Sequence, residues 1–468
     1  MTADNNTKVS WRELWVGGHF ARFALLCLGV WLHAADALLV ATLMPSAVEE
    51  IGGATLINWT IALYQLGSIV AGVATGLISA RLGLRPAMVG AACVYAIGCA
   101  VSALAPDMVT MLFGRLLQGI GGGSLVALAY VAISQLFPPR LTPRLIAIMS
   151  AVWGSSAFLG PLIGGVFASI GLWRFGFWAF AFQAVILVVA LLFLLKSPPK
   201  PQDNPRRRVP FLRLAIFSAG VLAIATAGVE VSLRTSPWLG VLAVLLLLMF
   251  FKLDDRASDG GLLPHGSLNV SRPVGAGIVM VLTTATATIS FTVYGPILMK
   301  SLYGTGPLVA GYMIAVESIS WSLAAVVFSG VTPLGERTVI RVGSILVTVA
   351  VAGLAIAMPY GSLLSLVPFL VFAGAGLGMA YGFIIRRVVA HAHAGEKEKA
   401  SSAIPTIHWM GYAIGSAASG IVANSAGFAD GITVSSAQSA GFWVFAAFLP
   451  LALIGNFSAW RLTSHPAV

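Results

Sequence analysis

The chain has 468 residues, of which 58% are hydrophobic and only 9% are charged, and its formal net charge is +11. This composition excludes a soluble globular protein, whose surface needs a larger share of charged residues. The positive charge does not indicate nucleic-acid binding, because Lys and Arg lie in short segments between long apolar runs. We therefore expect an all-α polytopic membrane protein, since backbone polar groups in lipid must be satisfied within each helix.

Apolar runs long enough to cross a bilayer recur along the chain in two sets of six, separated by a further pair. The first six runs are 20–44, 57–79, 87–104, 108–136, 145–170 and 175–195. A linker rich in proline and basic residues follows, and then the pair 211–231 and 238–251, of which the second is short. The last six runs are 274–298, 308–331, 339–358, 363–385, 404–424 and 442–460. The sequence thus predicts fourteen transmembrane helices.

We divide the chain into an N-terminal six-helix half (1–195), a cytoplasmic linker with two additional helices (196–262) and a C-terminal six-helix half (263–468). A weak internal repeat supports the two halves. The loop after the second helix contains Gly-Leu-Arg at 83–85, and the equivalent loop of the second half contains Gly-Glu-Arg at 335–337. Paired six-helix halves place a substrate site at their interface near the membrane midplane.

The distribution of basic residues predicts the orientation of the chain. Most of the 27 Lys and Arg residues fall on one side of the predicted membrane, and Arg174, Arg234 and Lys300 lie on the other. Since positive loops stay in the cytoplasm, we expect a multi-pass protein of the cell inner (cytoplasmic) membrane with both termini cytoplasmic. This pattern does not test the middle pair, because removing both helices leaves every other loop on the same side.

One carboxylate, Asp36, lies well inside the first predicted helix, with His33 three residues earlier. An ionisable group at that depth costs several kcal/mol unless it faces a polar cavity or a partner, which indicates a functional role. A structural Asp bonded to a neighbouring helix is the alternative. We expect His33 to be a hydrogen-bond partner or a packed cavity residue rather than a proton relay.

A second deep carboxylate, Glu317, lies in the run 308–331, with Trp321 four residues later on the same helix face. By the same argument from burial, we expect Glu317 to face a cavity and to bind substrate or a proton. Thr284 and Thr288 follow helical spacing in the preceding run. These threonines either line the cavity or bond to neighbouring helices and to their own backbone.

The run 404–424 contains His408, Trp409 and Tyr412 at helical spacing. Aromatic faces suit flat or cationic ligands, so we predict that these residues line the cavity, with ordinary interhelical packing as the alternative. His391 and His393 have no third ligand nearby in the sequence, so no metal site is expected.

Four stretches of the first half, at 36–45, 76–86, 115–123 and 154–165, combine closely spaced glycine, proline and charged residues. Their order and content resemble the major facilitator superfamily, in particular its fourteen-helix drug:proton antiporter branch. The first stretch is similar to the family pattern Leu-Asp-x-Thr-Ile-Val-x-x-Ala-Leu-Pro, with Leu38 in place of the Thr. The resemblance covers most of the N-terminal half and is thinner beyond it.

The resemblance implies that Asp36 and Arg115 take part in proton coupling. Arg115 opens the pattern Arg-x-x-Gln-Gly-x-Gly, which also contains Gln118 and Gly119. Independently of the family, an Arg in lipid needs an acidic or carbonyl partner. We add Glu317 as a third proton-coupling candidate because of its depth.

The stretch 76–86 resembles the cytoplasmic loop motif Gly-x-Leu-Ala-Asp-Arg-x-Gly-Arg-Arg. This similarity implies gating roles for Gly76, Arg81, Gly83 and Arg85. Plain positive anchors are the alternative. Ala80 stands where the family has Asp, so the partner that replaces this Asp is open.

The stretch 154–165 is similar to the fifth-helix pattern Gly-x(5)-Gly-Pro-x-x-Gly-Gly, which in the superfamily marks exporters. The matching residues are Gly154, Gly160, Pro161, Gly164 and Gly165. Proline removes one helix hydrogen bond, and glycines allow a bend and close helix contact.

We therefore expect a proton-coupled secondary transporter that exports amphipathic small molecules by alternating access, and not an enzyme. The expected partners are the substrate, protons and the lipid bilayer, with the proton gradient as energy source, no cofactor, no metal and no nucleic acid; the resemblance implies a functional monomer. A metabolite importer or facilitator on the same fold, and a flippase for lipids or lipid-linked substrates, are the alternatives. The chain has no Walker loop, zinc-protease motif or nucleophile motif, which argues against an ATP-driven pump and a membrane enzyme.

Overall fold

The computed structural model describes residues 19–138, 141–195, 209–229, 231–232, 234–257, 261–331, 333–393 and 396–465. The first half contains α1 (His19–Ile51), α2 (Ile57–Leu82), α3 (Leu84–Ala103), α4 (Met108–Leu136), α5 (Thr142–Ser169) and α6 (Trp173–Leu194). The middle pair is α7 (Phe211–Ala227) and α8 (Ser236–Asp255). The second half contains α9 (Pro273–Tyr303), α10 (Pro307–Phe328), α11 (Pro333–Tyr360), α12 (Leu363–His391), α13 (Lys397–Ser425), α14 (Val434–Ala446) and α15 (Leu449–Ser464).

The predicted all-α fold of a polytopic membrane protein is confirmed for the described residues, which contain no β-strand. Within the described ranges, twelve segments are long and apolar enough to cross a membrane, and one of them combines α14 and α15. Pro450 lies in the first turn of α15 and has no backbone N–H to donate to a carbonyl of the preceding turn. The helix therefore breaks between α14 and α15. The remaining two of the fourteen predicted helices are α7, which has 17 residues, and the less apolar α13.

The second helix of the middle pair is longer than the sequence predicts. It runs over 20 residues to Asp255 rather than ending at 251. Asp254 stabilises this extra turn, because its carboxylate binds Arg213 Nη1 of α7 at 2.5 Å. The same carboxylate accepts the backbone N–H groups of Leu262 and Leu263 at 2.9 and 2.8 Å.

The two halves repeat the same helix contacts. In the first half α2 and α3 pack on α4, α1 packs on α5, and α3 packs on α6. In the second half α10 and α11 pack on α12, α9 packs on α13, and α11 packs on α14 and α15. The halves meet through two equivalent pairs, α5 with α10 and α2 with α13. The domain boundaries near 195 and 262 stay a prediction, since 196–208 and 258–260 lie outside the described residues.

We call the end of the bundle where α1 ends the Ile51 face, and the opposite end the His19 face. At the Ile51 face the two halves are in close contact. A Cβ atom added to Gly165 of α5 would lie 2.8 Å from Leu308 Cα of α10. In the second pair, Ser416 Oγ of α13 donates to the carbonyl oxygen of Asn58 in α2 at 2.7 Å. In both pairs the halves therefore touch each other directly at this face.

The middle pair lies along the seam between α2 and α13, because α7 contacts both helices. Asn424 of α13 donates to the carbonyl oxygens of Thr55 at 3.1 Å and of Gly228 at 2.5 Å. A Cβ atom on Gly228 would lie only 2.7 Å from the backbone nitrogen of Ile421. The side-chain amide of Asn424 in the second half thus binds both the first half and the middle pair at the Ile51 face.

We predict that Gly160→Val destabilises the protein by about 1–3 kcal/mol, the usual cost of overpacking. The added side chain would meet a backbone oxygen of α1, since even a Cβ atom at Gly160 lies 2.5 Å from Ala35 O. Gly90→Val is the control, because its Cβ would have no atom within 4 Å. Thermal unfolding of the purified protein in detergent measures both. Equal midpoints for the two variants would contradict the close packing of α1 on α5.

Candidate functional site

A fully buried ion pair joins α1 to α4. Arg115 Nη1 donates to Asp36 Oδ1 at 2.9 Å, and both side chains are 0% exposed. Arg115 also donates to Gln118 Oε1 at 2.9 Å and to the carbonyl oxygen of Thr60 at 3.3 Å. Each partner offsets the cost of burying the other, which is large for an isolated charge. Asp36 is therefore the acidic partner that the depth of Arg115 requires.

One atom of each side chain in this pair is left without a hydrogen bond. Asp36 Oδ2 and Arg115 Nη2 are buried and have no partner among the residues that the structure describes. A proton added to Asp36 Oδ2 would break no existing hydrogen bond. The pair thus has the chemistry to exist in two protonation states without losing its other contacts.

Tyr64 of α2 covers the ion pair, and the sequence analysis missed it. Its ring centroid lies 4.2 Å from Arg115 Cζ, and the ring stacks on His33 at 5.3 Å. Its hydroxyl lies 2.8 Å from His33 O and 2.9 Å from His33 Nδ1. Gly119 permits this arrangement, because a Cβ there would lie 2.1 Å from Tyr64 O. No local pattern distinguishes a Tyr in this role from one that packs in the core.

An aromatic cluster lies where the two halves meet. It consists of His33, Trp153, Trp321, Tyr381, His408, Trp409 and Tyr412. Trp409 of the second half approaches His33 and Trp153 of the first half, each with ring centroids 5.7 Å apart. His408 and Tyr412 lie 4.4 Å apart.

The structure thus brings five of the predicted cavity residues into one cluster, and adds Trp153 and Tyr381. The five are His33, Trp321, His408, Trp409 and Tyr412. Their role in binding stays a prediction. The sequence contains no signal for the two added residues beyond their aromatic character.

Glu317 of α10 forms no hydrogen bond or ion pair with any described residue, and its side chain is partly buried. With Thr288 and Phe291 it lines a small cavity of about 10 Å³ within the second half. A second cavity of about 10 Å³ is lined by Thr284, His408 and other residues. An unpaired carboxylate beside aromatic rings is suited to a proton or a positively charged group.

Both predicted threonines reach these cavities, but their hydroxyl groups are satisfied within α9. Thr284 Oγ1 donates to Met280 O at 2.7 Å, and Thr288 Oγ1 donates to Thr284 O at 3.1 Å. The two threonines therefore bond to the backbone of their own helix, which was one of the alternatives drawn from the sequence. They also form part of the cavity walls.

The glycines of the exporter-like pattern are contact points of α5. Cβ atoms on Gly160 and Gly164 would lie 2.5 and 2.6 Å from carbonyl oxygens of α1. The carbonyl of Pro161 accepts the hydroxyl of Thr42 at 3.3 Å. Gly165 faces α10 of the other half, and a Cβ on Gly154 would lie 3.6 Å from a serine hydroxyl of α10. The pattern therefore packs α5 against both α1 and the opposite half.

The predicted gating residues lie at the His19 face. Gly83, with φ of 95°, joins α2 directly to α3, a backbone conformation that favours glycine. Arg81 is exposed and forms no ion pair with any described residue, and Arg85 donates to the carbonyl oxygen of Leu192 in α6. The surroundings of Gly76 and of the Ala80 side chain lie outside the described part of the chain.

The equivalent segment of the second half, 335–337, was expected to be a loop but lies in the first turns of α11, where Glu336 forms a group of ion pairs. Glu336 is only 3% exposed, and its carboxylate binds Arg387 Nε at 2.8 Å and also Arg386. Arg387 further donates to the carbonyl oxygen of Leu462 at 3.0 Å. The sequence contained a signal for these ion pairs, since Glu336 lies in the segment that repeats 83–85, but it did not predict the two arginine partners.

Metal binding has no support in the described residues, where no three His, Cys, Asp or Glu side chains form a group. His391 Nδ1 lies 2.9 Å from the carbonyl oxygen of Arg387, so this ring belongs to the end of α12.

Comparisons with known proteins agree on one family. A family model described as the Major Facilitator Superfamily matches residues 26–416. A probable multidrug-efflux transporter of Mycobacterium tuberculosis (strain H37Rv) is 29% identical, over 99% of this chain and 98% of that protein. Multidrug resistance protein 3 of Bacillus subtilis (strain 168) is 23% identical, over 77% of this chain and 70% of that protein.

Solved structures of transporters share the fold. The crystal structure of a POT peptide transporter superposes with a TM-score of 0.67 at 16% identity, over 94% of each chain. The crystal structure of a nucleoside transporter superposes with a TM-score of 0.65 at 13% identity, over 94% of this chain and 99% of that chain. At these identities the likeness concerns the fold alone.

We predict that Arg115→Met at neutral pH destabilises the protein by about 3–5 kcal/mol, because it leaves the carboxylate of Asp36 buried and unpaired. The double variant Asp36→Leu with Arg115→Met removes both charges and should regain most of this loss. Thermal unfolding in detergent measures both proteins. A single variant as stable as the wild type would contradict the mutual dependence of the pair.

Proposed function

We propose that this chain, which belongs to the Major Facilitator Superfamily of transporters, exports amphipathic small molecules in exchange for protons. It is a membrane transport protein and not an enzyme. The observation that carries the proposal is the buried pair of Asp36 and Arg115, in which one carboxylate oxygen has no partner among the described residues. A carboxyl group of this kind accepts and releases a proton while Arg115 balances its charge.

Two observations support export as the direction of transport. Relatives that match this chain along nearly its whole length are named as multidrug-efflux transporters. The exporter-like pattern of α5 makes the contacts that close the Ile51 face against α10. Basic residues concentrate at the opposite face, the His19 face, so in our proposal this face lies in the cytoplasm. The proposed transporter is a monomer in the inner membrane of the cell.

Coupling follows from the positions of the two sites. With the Ile51 face open, Asp36 accepts a proton from outside the cell. With the His19 face open, substrate enters the aromatic cluster and favours release of that proton to the cytoplasm. A ligand shifts a conformational equilibrium only through different affinities for the two states, so exchange requires only that proton and substrate stabilise different states.

The aromatic cluster and Glu317 support an amphipathic substrate. The rings of Trp409 and Tyr412 offer apolar faces, and the nearby carboxylate of Glu317 favours a positive charge. The two cavities beside them are about 10 Å³ each, enough for about one water molecule and far too small for a drug-sized ligand. Binding of such a ligand therefore requires the halves to separate at the His19 face.

We predict that Asp36→Asn abolishes energised efflux, because the amide cannot carry a proton. Efflux of a fluorescent lipophilic cation from cells is measured with and without a protonophore, at matched membrane levels of protein. Wild-type efflux should stop with the protonophore. Asp430→Asn is the control, since Asp430 is exposed at the Ile51 face. Efflux by Asp36→Asn at the wild-type rate would contradict a coupling role.

We predict that Glu317→Gln weakens export of a cationic amphiphile but not of a neutral one of similar size. The carboxylate contributes charge that only the cation uses. Glu317→Asp keeps the charge and serves as the matched variant. Transport rates of both compounds in vesicles measure the effect. Equal loss for the two compounds would assign Glu317 to proton coupling instead of substrate charge.

A further inference from the structure

Tyr64 lies between the ion pair and the aromatic cluster. One face of its ring covers the guanidinium of Arg115, 4.2 Å from the centroid, and the ring stacks on His33 with an interplanar angle of 18°. His33 in turn contacts Trp153 of its own half and Trp409 of the other half. A continuous path of contacts thus runs from Arg115 to α13, and Tyr64 is its first step.

We infer that Tyr64 is a positioning residue that couples the Asp36–Arg115 pair to the contact between the two halves. Its ring holds Arg115 in place when Asp36 is protonated, and its hydroxyl orients His33 against Trp409. This inference rests on the proposed proton coupling, and it assigns a role to a residue outside the motifs of the first half.

The role of the ring follows from the charge of Arg115, which stays protonated in proteins. When Asp36 takes up a proton, Arg115 loses its only counter-charge among the described residues. Its remaining contacts are Gln118 Oε1, the Thr60 carbonyl and the Tyr64 ring. Cation–π attraction grows when water is excluded, so the ring stabilises the protonated state most.

The role of the hydroxyl follows from its two contacts with His33. Tyr64 has one phenolic proton and lies within hydrogen-bond distance of both His33 O and His33 Nδ1. When the phenol donates to the carbonyl oxygen, Nδ1–H is the donor to the phenol oxygen. This pair of bonds fixes the imidazole ring, which lies 5.7 Å from the ring of Trp409.

The backbone of α4 keeps both residues of this path in place. A Cβ atom on Gly119 would lie 2.1 Å from Tyr64 O, and a Cβ atom on Gly122 would lie 2.7 Å from His33 Nδ1. Because no side chain fits at either position, α2 and α1 sit directly against the helix that carries Arg115. Movement of His33 is therefore passed to Tyr64 and Arg115 instead of being absorbed by a flexible side chain.

The charged and titratable neighbours of Asp36 come from four helices. Arg115 faces it from α4, Tyr64 from α2, Tyr95 and Cys99 from α3, and His33 lies on its own helix. Among the described residues, α5 and α6 add no charged group to this set. Of these neighbours, Tyr64 is the one that touches both Arg115 and His33.

Two substitutions at Tyr64 separate the ring from the hydroxyl. Tyr64→Phe keeps the ring over Arg115 and removes the bonds to His33, whereas Tyr64→Leu removes both. Tyr294→Phe is the control, because the buried hydroxyl of Tyr294 has no hydrogen-bond partner among the described residues. Each protein is reconstituted in vesicles, and transport of a fluorescent lipophilic cation is measured over a series of pH values under an imposed proton gradient.

For Tyr64→Leu we expect the pH midpoint of exchange to move about one unit to the acidic side, since the state with protonated Asp36 loses the ring contact that stabilises Arg115. For Tyr64→Phe we expect the wild-type midpoint but a several-fold higher KM for the cation. Tyr294→Phe should match the wild type in both. A folded Tyr64→Leu protein with the wild-type midpoint would overturn the inference.

A second comparison applies if Tyr64→Leu does not fold. Tyr64→Phe and His33→Gln disturb the same hydrogen bonds, so both should raise KM, and their double variant should add little to either. Additive effects, or no effect of Tyr64→Phe, would overturn the inference. If wild-type transport does not depend on the proton gradient, the proposed exchange fails as well. If wild-type transport is coupled and only the Tyr64 results fail, the proposed exchange stands.

Discussion

The buried ion pair of Asp36 and Arg115 is the constraint on which the first half depends. Neither charge is stable in a membrane interior alone, and each is offset by the other at 2.9 Å. The pair also needs the carbonyl and amide oxygens supplied by Thr60 and Gln118. These contacts join α1, α2 and α4 into one unit, so that a change in the charge of Asp36 affects all three helices.

Close packing at glycine residues connects this unit to the rest of the molecule. Gly160 and Gly164 set α5 against α1, and Gly165 sets the same helix against α10 of the opposite half. The halves therefore meet tightly at the Ile51 face, and the aromatic cluster lies on the seam below these contacts. Because backbone atoms touch here, the proposed opening of the seam requires rocking of whole helices and not only rotation of a few side chains.

The middle pair is attached to the same seam. Asn424 binds the carbonyl oxygens of both Thr55 and Gly228, so the pair and the first half share one partner in α13. At the other end, Asp254 ties α8 to α7 and to the chain that leads into the second half. The pair thus borders the line along which the halves would separate in the proposed exchange cycle.

Periodic apolar runs and the positions of basic loops were enough to predict the all-α fold and its paired halves, because helices in lipid form from local sequence. The deep positions of Asp36 and Arg115 in their helices could also be predicted from the sequence. They indicated a role for both residues, because burying a charge is costly wherever its partner lies. Only the tertiary structure decided that the two are partners, that Tyr64 covers them and that Arg387 binds Glu336. Those contacts join helices far apart in the chain, and their distances are set by helix packing, which leaves no trace in the sequence around any one residue.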